Sequence, residues 1–388
     1  MRLLAISREQ FEKDDEVIIY GAGLWGEIAY YGMELLDIPV SYFCDRMLKG
    51  TKKCEKNVYG IEKLEYAANK KIVIASQNYF KEMVNYLKDI GYEECYNIST
   101  FFDLPLDVNK LSNDARGMYE NPERYLDQIE YYYMNQDDLY ISHLEIVVTE
   151  RCTLKCRYCA TFSPYYENAK NIEYSECKKA VEKFLDCIEY ISEVRLLGGE
   201  PFVNAHIGDY IDALANNKKI GVIHIYTNGT VIPKKEILCK LTNQKVHIHI
   251  SNYIHNEDKI KRLIEIFEEW KITYTERKYD FWVDMGRIEK HDYSAEERKM
   301  LFQNCLAKTC YTILRDKLFR CSRAANIYNM GYKNISSQYV ELDNDESTEK
   351  VREQIKHLLF KTEELDACDY CMGMDMYHNK VNVAEQLQ

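Results

Sequence analysis

Short apolar runs alternate with amphipathic stretches along residues 1–105. Continuous apolar runs are typical of strands that are buried on both faces of a parallel sheet, and apolar residues at helical spacing follow the first and third runs. Repeated βα units of this kind predict a parallel sheet covered by helices. The predicted strands are 16–20 (EVIIY), 40–45 (VSYFCD), 71–76 (KIVIAS) and 93–98.

A polar, tyrosine-rich stretch at 106–140 follows, and its segment PERYLDQIEYYYM favours a helical linker. A second βα series then predicts a complete or partial (β/α) barrel over 141–295. Its predicted strands are 143–149, 193–197, 222–226, 246–250 and 272–275, with helical patterns at about 174–190, 205–217, 233–243 and 256–270. The alternation of strand and helix patterns stops near residue 296, so residues 296–388 are predicted to form a small α+β domain. The predicted fold class is α/β.

Composition and charge narrow the classes of protein to which this chain could belong. The chain has 388 residues, of which 46% are hydrophobic, enough for two or three domain cores. A formal net charge of -12 argues against non-specific nucleic-acid binding, which needs a basic face. The N-terminal segment does not resemble a signal peptide, and no apolar run approaches membrane-spanning length. A soluble cytoplasmic protein that acts apart from membranes is expected.

Three of the 14 cysteines lie within eight residues, directly after the first predicted barrel strand. Cys152, Cys156 and Cys159 have the spacing C-x3-C-x2-C. In a chain without secretory features, grouped cysteines indicate metal ligands rather than disulfides. Three thiolates can hold a [4Fe–4S] cluster and leave one iron open, whereas zinc sites more often use two C-x2-C pairs. Loops at the carboxyl ends of barrel strands are also where such folds place their chemistry.

The motif resembles the signature of the radical S-adenosylmethionine (SAM) superfamily, which has an aromatic residue before the last cysteine. The resemblance implies that Tyr158 lies against the adenine of SAM. It also implies that the amino and carboxylate groups of SAM chelate the open iron. Reductive cleavage of SAM in that family releases a 5′-deoxyadenosyl radical.

Two further segments resemble motifs of the same family. GGEPF (198–202) follows a predicted strand and is similar to the GGEP segment, whose backbone and glutamate contact the methionine amino group. TNG (227–229) ends the next strand, and Ser251 and Asn252 end the one after it, where they could reach the ribose or the carboxylate. The residues implied in SAM binding are Gly198, Gly199, Glu200, Pro201, Asn228 and Ser251.

Cys310 and Cys321 flank the segment TILRDKLFR, and Cys368 and Cys371 form a C-x2-C further along the chain. These distal cysteines resemble the auxiliary-cluster modules of this family, called SPASM and twitch. The resemblance implies a second [4Fe–4S] cluster that is held wholly by protein thiolates and suits electron transfer. Cys305 remains outside that set, as an alternative ligand, a free thiol or a hydrogen-atom donor to a product radical. Zinc at the same four cysteines is the competing metal. The implied ligands are Cys310, Cys321, Cys368 and Cys371.

The glycine-rich turn GAGLWG lies between a predicted strand and a predicted helix near the N-terminus. Gly21, Gly23 and Gly26, with Asp45 at the end of the next strand, match a dinucleotide-binding pattern, in which the acid reaches a ribose hydroxyl. The segment resembles the Rossmann-like domains of enzymes in sugar and surface-polysaccharide biosynthesis. A bound nucleotide or nucleotide sugar is expected, and a scaffold without a ligand is the alternative.

These motifs together predict a radical SAM oxidoreductase or epimerase. Its substrate would be a small molecule, and the radical would take hydrogen from a carbinol carbon of a sugar, aminocyclitol or nucleotide sugar. A reducing partner such as ferredoxin or flavodoxin is implied. Two alternatives remain, a SPASM-type peptide maturase and a non-catalytic iron–sulfur redox or sensing module. The N-terminal βα units argue against the first, and the GGEP segment argues against the second.

Overall fold

A computed structural model gives the structure of the protein for residues 1–12, 14–67, 69–77, 79–122, 125–126, 129–130, 132, 139–253, 257–332, 338–374 and 379–387. The chain divides into two compact units, Met1–Ser142 and His143–Gln388. Among these residues, no helix is both long enough and apolar enough to cross a membrane.

The first unit is built on a seven-stranded sheet in the order β1-β7-β6-β2-β3-β5-β4. All neighbouring strands run parallel except the β4–β5 hairpin. The four predicted strands are present as β2, β3, β6 and β7. Sequence patterns did not predict β1, a short edge strand with three buried residues, or the β4–β5 hairpin, whose strands bury only Val58. The strands are β1 (Arg2–Ala5), β2 (Val17–Tyr20), β3 (Val40–Cys44), β4 (Lys52–Lys53), β5 (Lys56–Tyr59), β6 (Lys71–Ile74) and β7 (Glu94–Asn97).

Helices of the first unit span Leu24–Leu35, Phe80–Asp89 and Asn113–Glu120. The second of these buries Phe80, Met83, Val84 and Leu87, the i, i+3, i+4, i+7 spacing of an amphipathic helix. All four residues of β2 are buried, as expected for a central parallel strand. The helix predicted within the 106–140 linker falls largely on residues outside those described.

An eight-stranded sheet in the order β12-β11-β10-β9-β8-β14-β15-β16 organises the second unit. Strands β8 to β12 and β14 are parallel, and β14, β15 and β16 form antiparallel pairs. Within the described ranges β12 pairs only with β11 and β16 only with β15, so the predicted barrel is partial. The strands are β8 (Tyr140–Thr149), β9 (Tyr190–Gly198), β10 (Ile220–Thr227), β11 (Val246–Asn252), β12 (Tyr274–Lys278), β13 (Trp282–Val283), β14 (Thr312–Leu314), β15 (Lys317–Phe319), β16 (Tyr339–Glu341) and β17 (Lys380–Val381).

Helices follow the parallel strands of this sheet, as the alternating pattern predicted. The fold class is therefore α/β with parallel sheets. The helix Glu257–Trp270 illustrates the packing, because its buried residues Ile260, Leu263 and Phe267 lie on one face. The helices are Tyr174–Cys187, Ile207–Ala215, Lys235–Leu241, Glu257–Trp270, Ala295–Asn304, Ser322–Asn329 and Thr348–Lys356.

Residues 296–388 differ from the prediction of a separate small domain. Strand β14 pairs in parallel with β8, with Thr312 opposite Glu145 and Ile313 opposite Ile146. This pairing gives β8 a neighbour on its second edge, where its backbone groups would otherwise lack partners. The C-terminal residues therefore continue the central sheet and belong to the same compact unit as the barrel strands.

Candidate functional site

A cavity of about 480 Å³ lies at the carboxyl ends of β8 to β11. This is the edge at which parallel α/β folds place ligands, because the strand ends and their loops converge there. The cavity brings together most of the residues that the motifs predicted. Those lining it are Cys152, Cys156, Tyr158, Cys159, Gly198, Gly199, Asn228 and Ser251.

The three thiols of the first motif share this cavity, and each has a hydrogen-bonding neighbour. The Cys152 sulfur accepts from the Leu154 backbone N–H at 3.4 Å, and the Cys159 sulfur lies 3.3 Å from the Thr161 hydroxyl. Burial raises the pKa of Cys152 to about 12 and that of Cys156 to about 11. Metal binding at this loop would therefore release protons, because thiolates are the ligating form.

Gly198 and Gly199 allow the end of β9 to approach the cysteine loop closely. A Cβ on Gly198, whose φ is +156°, would lie 2.1 Å from the Thr149 carbonyl oxygen. A Cβ on Gly199 would lie 2.2 Å from the Arg151 carbonyl oxygen. The Gly199 N–H donates to the Thr149 carbonyl at 3.0 Å, so the paired glycines fix the start of the cysteine loop against β9.

Glu200 and Pro201 differ from the prediction, because neither is among the described residues that line the cavity. The Glu200 side chain is fully buried, and burial raises its pKa to about 7. Its carboxylate accepts from the Phe202 N–H at 3.1 Å, the Thr227 hydroxyl at 2.8 Å and the Asn228 N–H at 2.8 Å. Glu200 therefore joins the GGEP turn to the TNG turn, since its acceptor groups are directed at the protein.

Asn228 connects the TNG turn to the cysteine loop. Its Nδ2 donates to the Thr153 hydroxyl at 3.2 Å and lies 3.6 Å from the Cys152 sulfur. Asn252 does not share this position, because it is buried and its Nδ2 donates to Glu276 at 2.6 Å. Of the two polar residues that end β11, only Ser251 lines the cavity.

The structure adds cavity residues that sequence reasoning did not identify. Glu145 and Arg195 lie deeper along β8 and β9, and with Tyr226 they form a polar floor. The Glu145 carboxylate accepts from the Thr312 hydroxyl at 3.0 Å, and burial raises its pKa. Four further lining residues form an aromatic wall. It comprises Tyr253, Tyr279, Phe281 and Trp282.

The alternation of polar residues along the strands is the sequence pattern that could have identified this polar floor. Residues at every second position of a strand face the same side of the sheet. Glu193 and Arg195 on β9 form an ion pair, and Glu193 also lies 2.9 Å from His224 on β10. His247 on β11 bonds the Thr275 hydroxyl at 2.8 Å. One face of the sheet is therefore polar and buried, which is costly unless its groups are paired or bind a ligand.

Acid should weaken the second unit through its buried histidines. Burial lowers the pKa of His143 and of His247 to about 3, so the folded protein keeps both neutral. The unfolded chain binds protons near pH 6.5, so stability is full above that pH and falls as pH drops towards the folded pKa. From pH 7.5 to 5.5 each histidine should cost about 1.4 kcal/mol.

Denaturant unfolding at the two pH values, followed by tryptophan fluorescence, measures this loss. A Trp25→Phe background removes the tryptophan of the first unit, so that the signal comes from Trp270 and Trp282 of the second. We expect His247→Gln to reduce the loss by about 1.4 kcal/mol. The exposed His357→Gln variant is the control and should retain the wild-type dependence. An unchanged loss in His247→Gln would contradict the assignment.

Four of the five distal cysteines surround a second, small cavity of about 20 Å³. Backbone N–H groups point at two of these sulfurs, from Gly373 to Cys371 at 3.2 Å and from Met374 to Cys305 at 3.3 Å. Four thiols, of which Cys371 is buried and the other three are partly buried, form a donor set that fits an iron–sulfur cluster. The four are Cys305, Cys321, Cys368 and Cys371.

Cys310 is the predicted ligand that the structure does not place in this group. It is absent from the described lining of the small cavity, although it packs with Cys305 against Met285, Ala307 and Cys371. Cys305 takes its place. Cys305 also does not line the main cavity, so the structure does not support its suggested role as a hydrogen-atom donor there.

The first unit has its own cavity of about 470 Å³ beside the glycine-rich turn. Gly21, Gly23 and Asp45 line it, together with Ser76 and Gln77 at the end of β6. Gly26 lies outside this lining and has a packing role, because a Cβ there would lie 2.2 Å from the Gly21 carbonyl oxygen. This turn thus places the start of a helix beside an open space at the strand ends.

Asp45 differs from its predicted contact with a ribose hydroxyl. Its carboxylate already accepts three backbone N–H bonds, from Ala22 at 2.9 Å, Met47 at 2.8 Å and Leu48 at 3.0 Å. The side chain therefore holds the loop after β3 against the glycine-rich turn. Most of its acceptor capacity is used within the protein.

Asp45→Ala should destabilise the first unit by about 2 kcal/mol, because charged acceptors contribute more than neutral ones and three N–H groups lose their partner. Denaturant unfolding followed by Trp25 fluorescence measures the change. Asp14→Ala at an exposed position is the matched control. Equal stability of the two variants would show that these bonds contribute little.

Comparisons with known proteins agree with the geometry of the second unit. Residues 146–277, about a third of the chain, match the model of the radical SAM superfamily. GTP 3′,8-cyclase of Clostridium perfringens is 29% identical over 206 residues, covering 52% of this chain and 55% of the relative. The chain thus spans about half the length of the curated relatives it matches.

Two solved structures are also similar at low identity. The structure of anSMEcpe with bound AdoMet is 13% identical, with a TM-score of 0.40 over 59% of this chain and 88% of that chain. The structure of BtrN in complex with AdoMet and 2-DOIA is 14% identical, with a TM-score of 0.37 over 64% of this chain and 98% of that chain.

Proposed function

We propose, from the premise that residues 146–277 form a radical SAM superfamily domain, that the protein is an enzyme that acts on a carbinol carbon of a small hydroxylated substrate. The substrate class is a sugar, an aminocyclitol or a nucleotide sugar, and the outcome is dehydrogenation or epimerisation. The observation that carries the proposal is the single cavity that joins the three motif thiols to a polar floor and an aromatic wall.

The cofactors expected of this family fit the donor groups present. Cys152, Cys156 and Cys159 would hold a [4Fe–4S] cluster with one open iron, and the adjoining cavity of about 480 Å³ leaves room for SAM and a small substrate. With an electron from a reductant, these cofactors would supply a 5′-deoxyadenosyl radical that removes a hydrogen atom. Tyr158 and Ser251 line the same space and would contact the adenosyl group.

The polar floor supports a hydroxylated substrate. Carboxylate and guanidinium groups bind hydroxyls by accepting and donating hydrogen bonds, and Glu145 and Arg195 present one of each. In the aromatic wall the Tyr253 and Trp282 rings meet edge to face at 5.0 Å. Such rings offer apolar faces to the C–H side of a sugar-like ring. The floor residues would orient the substrate towards the strand ends.

The distal thiols support an oxidative outcome. Cys305, Cys321, Cys368 and Cys371 would hold a second [4Fe–4S] cluster, which would accept the electron that ketone formation releases. Its complete set of protein ligands would leave substrate binding to the main cavity. Epimerisation would instead need a hydrogen-atom donor beside the substrate radical, and Cys305 does not line the main cavity.

A second candidate is chemistry on a nucleotide, because the curated relatives are named GTP 3′,8-cyclases. The cavity of the first unit could separately bind a nucleotide or nucleotide sugar beside its glycine-rich turn. The peptide-maturase alternative has less support. A maturase would be expected to carry a winged-helix domain that binds a leader peptide, whereas the first unit is built on a mainly parallel seven-stranded sheet.

Substrate-dependent SAM cleavage tests the proposed function. The protein would be reconstituted with iron and sulfide without oxygen, reduced with dithionite, and assayed for 5′-deoxyadenosine with amino sugars, aminocyclitols, UDP-glucose and GTP. Stimulation by a hydroxylated ring compound, with a ketone or epimer as product, would support the proposal. Stimulation by GTP alone would favour the second candidate. Failure to bind SAM would overturn both.

A further inference from the structure

Residues 384–387, which we call the strap, lie across the loop of the first cysteine motif. The Leu387 N–H donates to the Lys155 carbonyl at 2.7 Å, and the Arg157 N–H donates to the Glu385 carbonyl at 2.7 Å. These bonds form an antiparallel bridge that places Gln386 opposite Cys156. The strap therefore contacts the motif at its middle cysteine.

The Gln386 amide strengthens this contact through both of its ends. Its Oε1 accepts from the Lys155 N–H at 2.8 Å, and its Nε2 donates to the Cys156 sulfur at 3.2 Å. The second N–H of Nε2 donates to the Ala384 carbonyl at 2.6 Å, which fixes the orientation of the amide. Cys156 and Ala384 are buried at this contact.

An ion pair adds to the strap on the other side of Cys156. The Arg157 side chain lies 3.2 Å from the Glu385 carboxylate. Both groups are about one-third exposed, so the pair contributes little to stability. The backbone bonds and the Gln386 amide are therefore the main connections between the strap and the cysteine loop.

We propose that Gln386 is a positioning residue for the first cluster: it holds Cys156 in its ligating place and donates an N–H to the ligating sulfur. This inference rests on the first cluster of the proposed function. Reduction adds a negative charge to a cluster, and an N–H dipole directed at a ligand sulfur stabilises that charge. Hydrogen bonds to sulfur and solvent exposure are known determinants of cluster potentials.

The reduction potential of the first cluster tests the proposal. Gln386→Glu keeps the size of the side chain but removes the N–H donor. We expect the reduced-to-oxidised ratio at a fixed potential to fall about tenfold, which is about 59 mV towards negative values for one electron. The titration would follow the electron paramagnetic resonance signal that changes on SAM addition, because only the cluster with an open iron binds SAM.

Matched variants separate this effect from general charge and folding effects. Gln303→Glu adds the same charge at an exposed position of the helix Ala295–Asn304 and should leave the potential unchanged. Gln386→Leu removes the donor without adding charge and should shift the potential in the same direction as Gln386→Glu. It replaces Gln386→Glu in the comparison if that variant does not retain iron. A wild-type potential in Gln386→Leu, or an equal shift in Gln303→Glu, would overturn the proposal.

Thiol alkylation of the cluster-free protein provides a test that does not depend on SAM chemistry. Because the strap covers Cys156, iodoacetamide should modify it more slowly than Cys159, and Gln386→Leu should reduce that difference. Equal rates in the wild-type protein would overturn the proposed position of the strap. If Cys156 is alkylated slowly but the reconstituted protein does not cleave SAM, the result would count against the proposed function and leave the position of the strap supported.

Discussion

Cys152→Ala should lower 5′-deoxyadenosine formation more than about 100-fold, because loss of a cluster ligand exceeds the effect of losing one of its hydrogen-bonding neighbours. The same change should reduce iron in the reconstituted protein from about eight to about four atoms per chain, which is one [4Fe–4S] cluster. Cys152 is well suited to this test, because the Asn228 side chain and the Leu154 backbone N–H already point hydrogen-bond donors at its sulfur. Iron analysis and chromatographic detection of 5′-deoxyadenosine measure the two effects.

Cys239→Ala is the control for this prediction, since Cys239 is an exposed thiol on the helix Lys235–Leu241. It should retain both the iron and the activity of the wild-type protein. Persistent SAM cleavage by Cys152→Ala would mean that the first motif does not hold the catalytic cluster.

Cys305→Ala and Cys310→Ala should give opposite results, although the two cysteines are close in sequence. Removing Cys305 should cost about four irons, whereas removing Cys310 should leave about eight. The reason is geometric, because Cys305 lines the small cavity with three other cysteines, whereas Cys310 is absent from its described lining. Iron and sulfide analysis with Mössbauer spectroscopy of each variant measures the difference.

The reverse pattern, with iron lost only in Cys310→Ala, would restore the ligand set that the sequence motifs implied. Metal analysis of the wild-type protein addresses the zinc alternative at the same time. One zinc and about four irons per chain would assign zinc to the distal thiols and remove the electron acceptor from the proposed reaction.

The parallel strands of both units were predictable because their signal is local. Runs such as VIIY in β2 are buried on both faces, so every position is apolar. Pairing between distant segments has no such signal. Strand β14 has only three residues, and its position beside β8 depends on a partner more than 160 residues away. The sequence therefore predicted a separate C-terminal domain where the structure has a continuous sheet.

The hairpin between β14 and β15 turns without a glycine. Arg315 stands in this turn and adopts a positive φ of 57°. This conformation is strained for a residue with a side chain. The Arg315 guanidinium bonds Glu150 and Glu176 at 2.7 Å each, which offsets the strain. Motif spacing could not show this compensation, because both acids come from distant elements.

Site residues were predictable where spacing itself carries the chemistry, as in the first cysteine motif. Side-chain direction was not predictable, and it decides the roles of Glu200 and Asp45. Both acids are near their predicted cavities, but their oxygens accept N–H and O–H groups of the protein. The spacing of the distal cysteines likewise could not show that Cys305 lines the small cavity and Cys310 does not, although only a 3-10 turn at Leu306–Thr309 separates them.

The pairing of residues 384–387 with 155–157 has a consequence for biosynthesis. The Cys156 thiol leaves the ribosome 230 residues before Gln386 does, and the edge of β8 leaves it more than 160 residues before β14. Contacts so far apart in sequence form late, because the chain between them must first be made and its loop closed. A nascent chain would therefore leave its first three thiols open to oxidants and to the wrong metal until residues 384–387 have been made. Cells that make this protein would benefit from delivering iron and sulfide after that point.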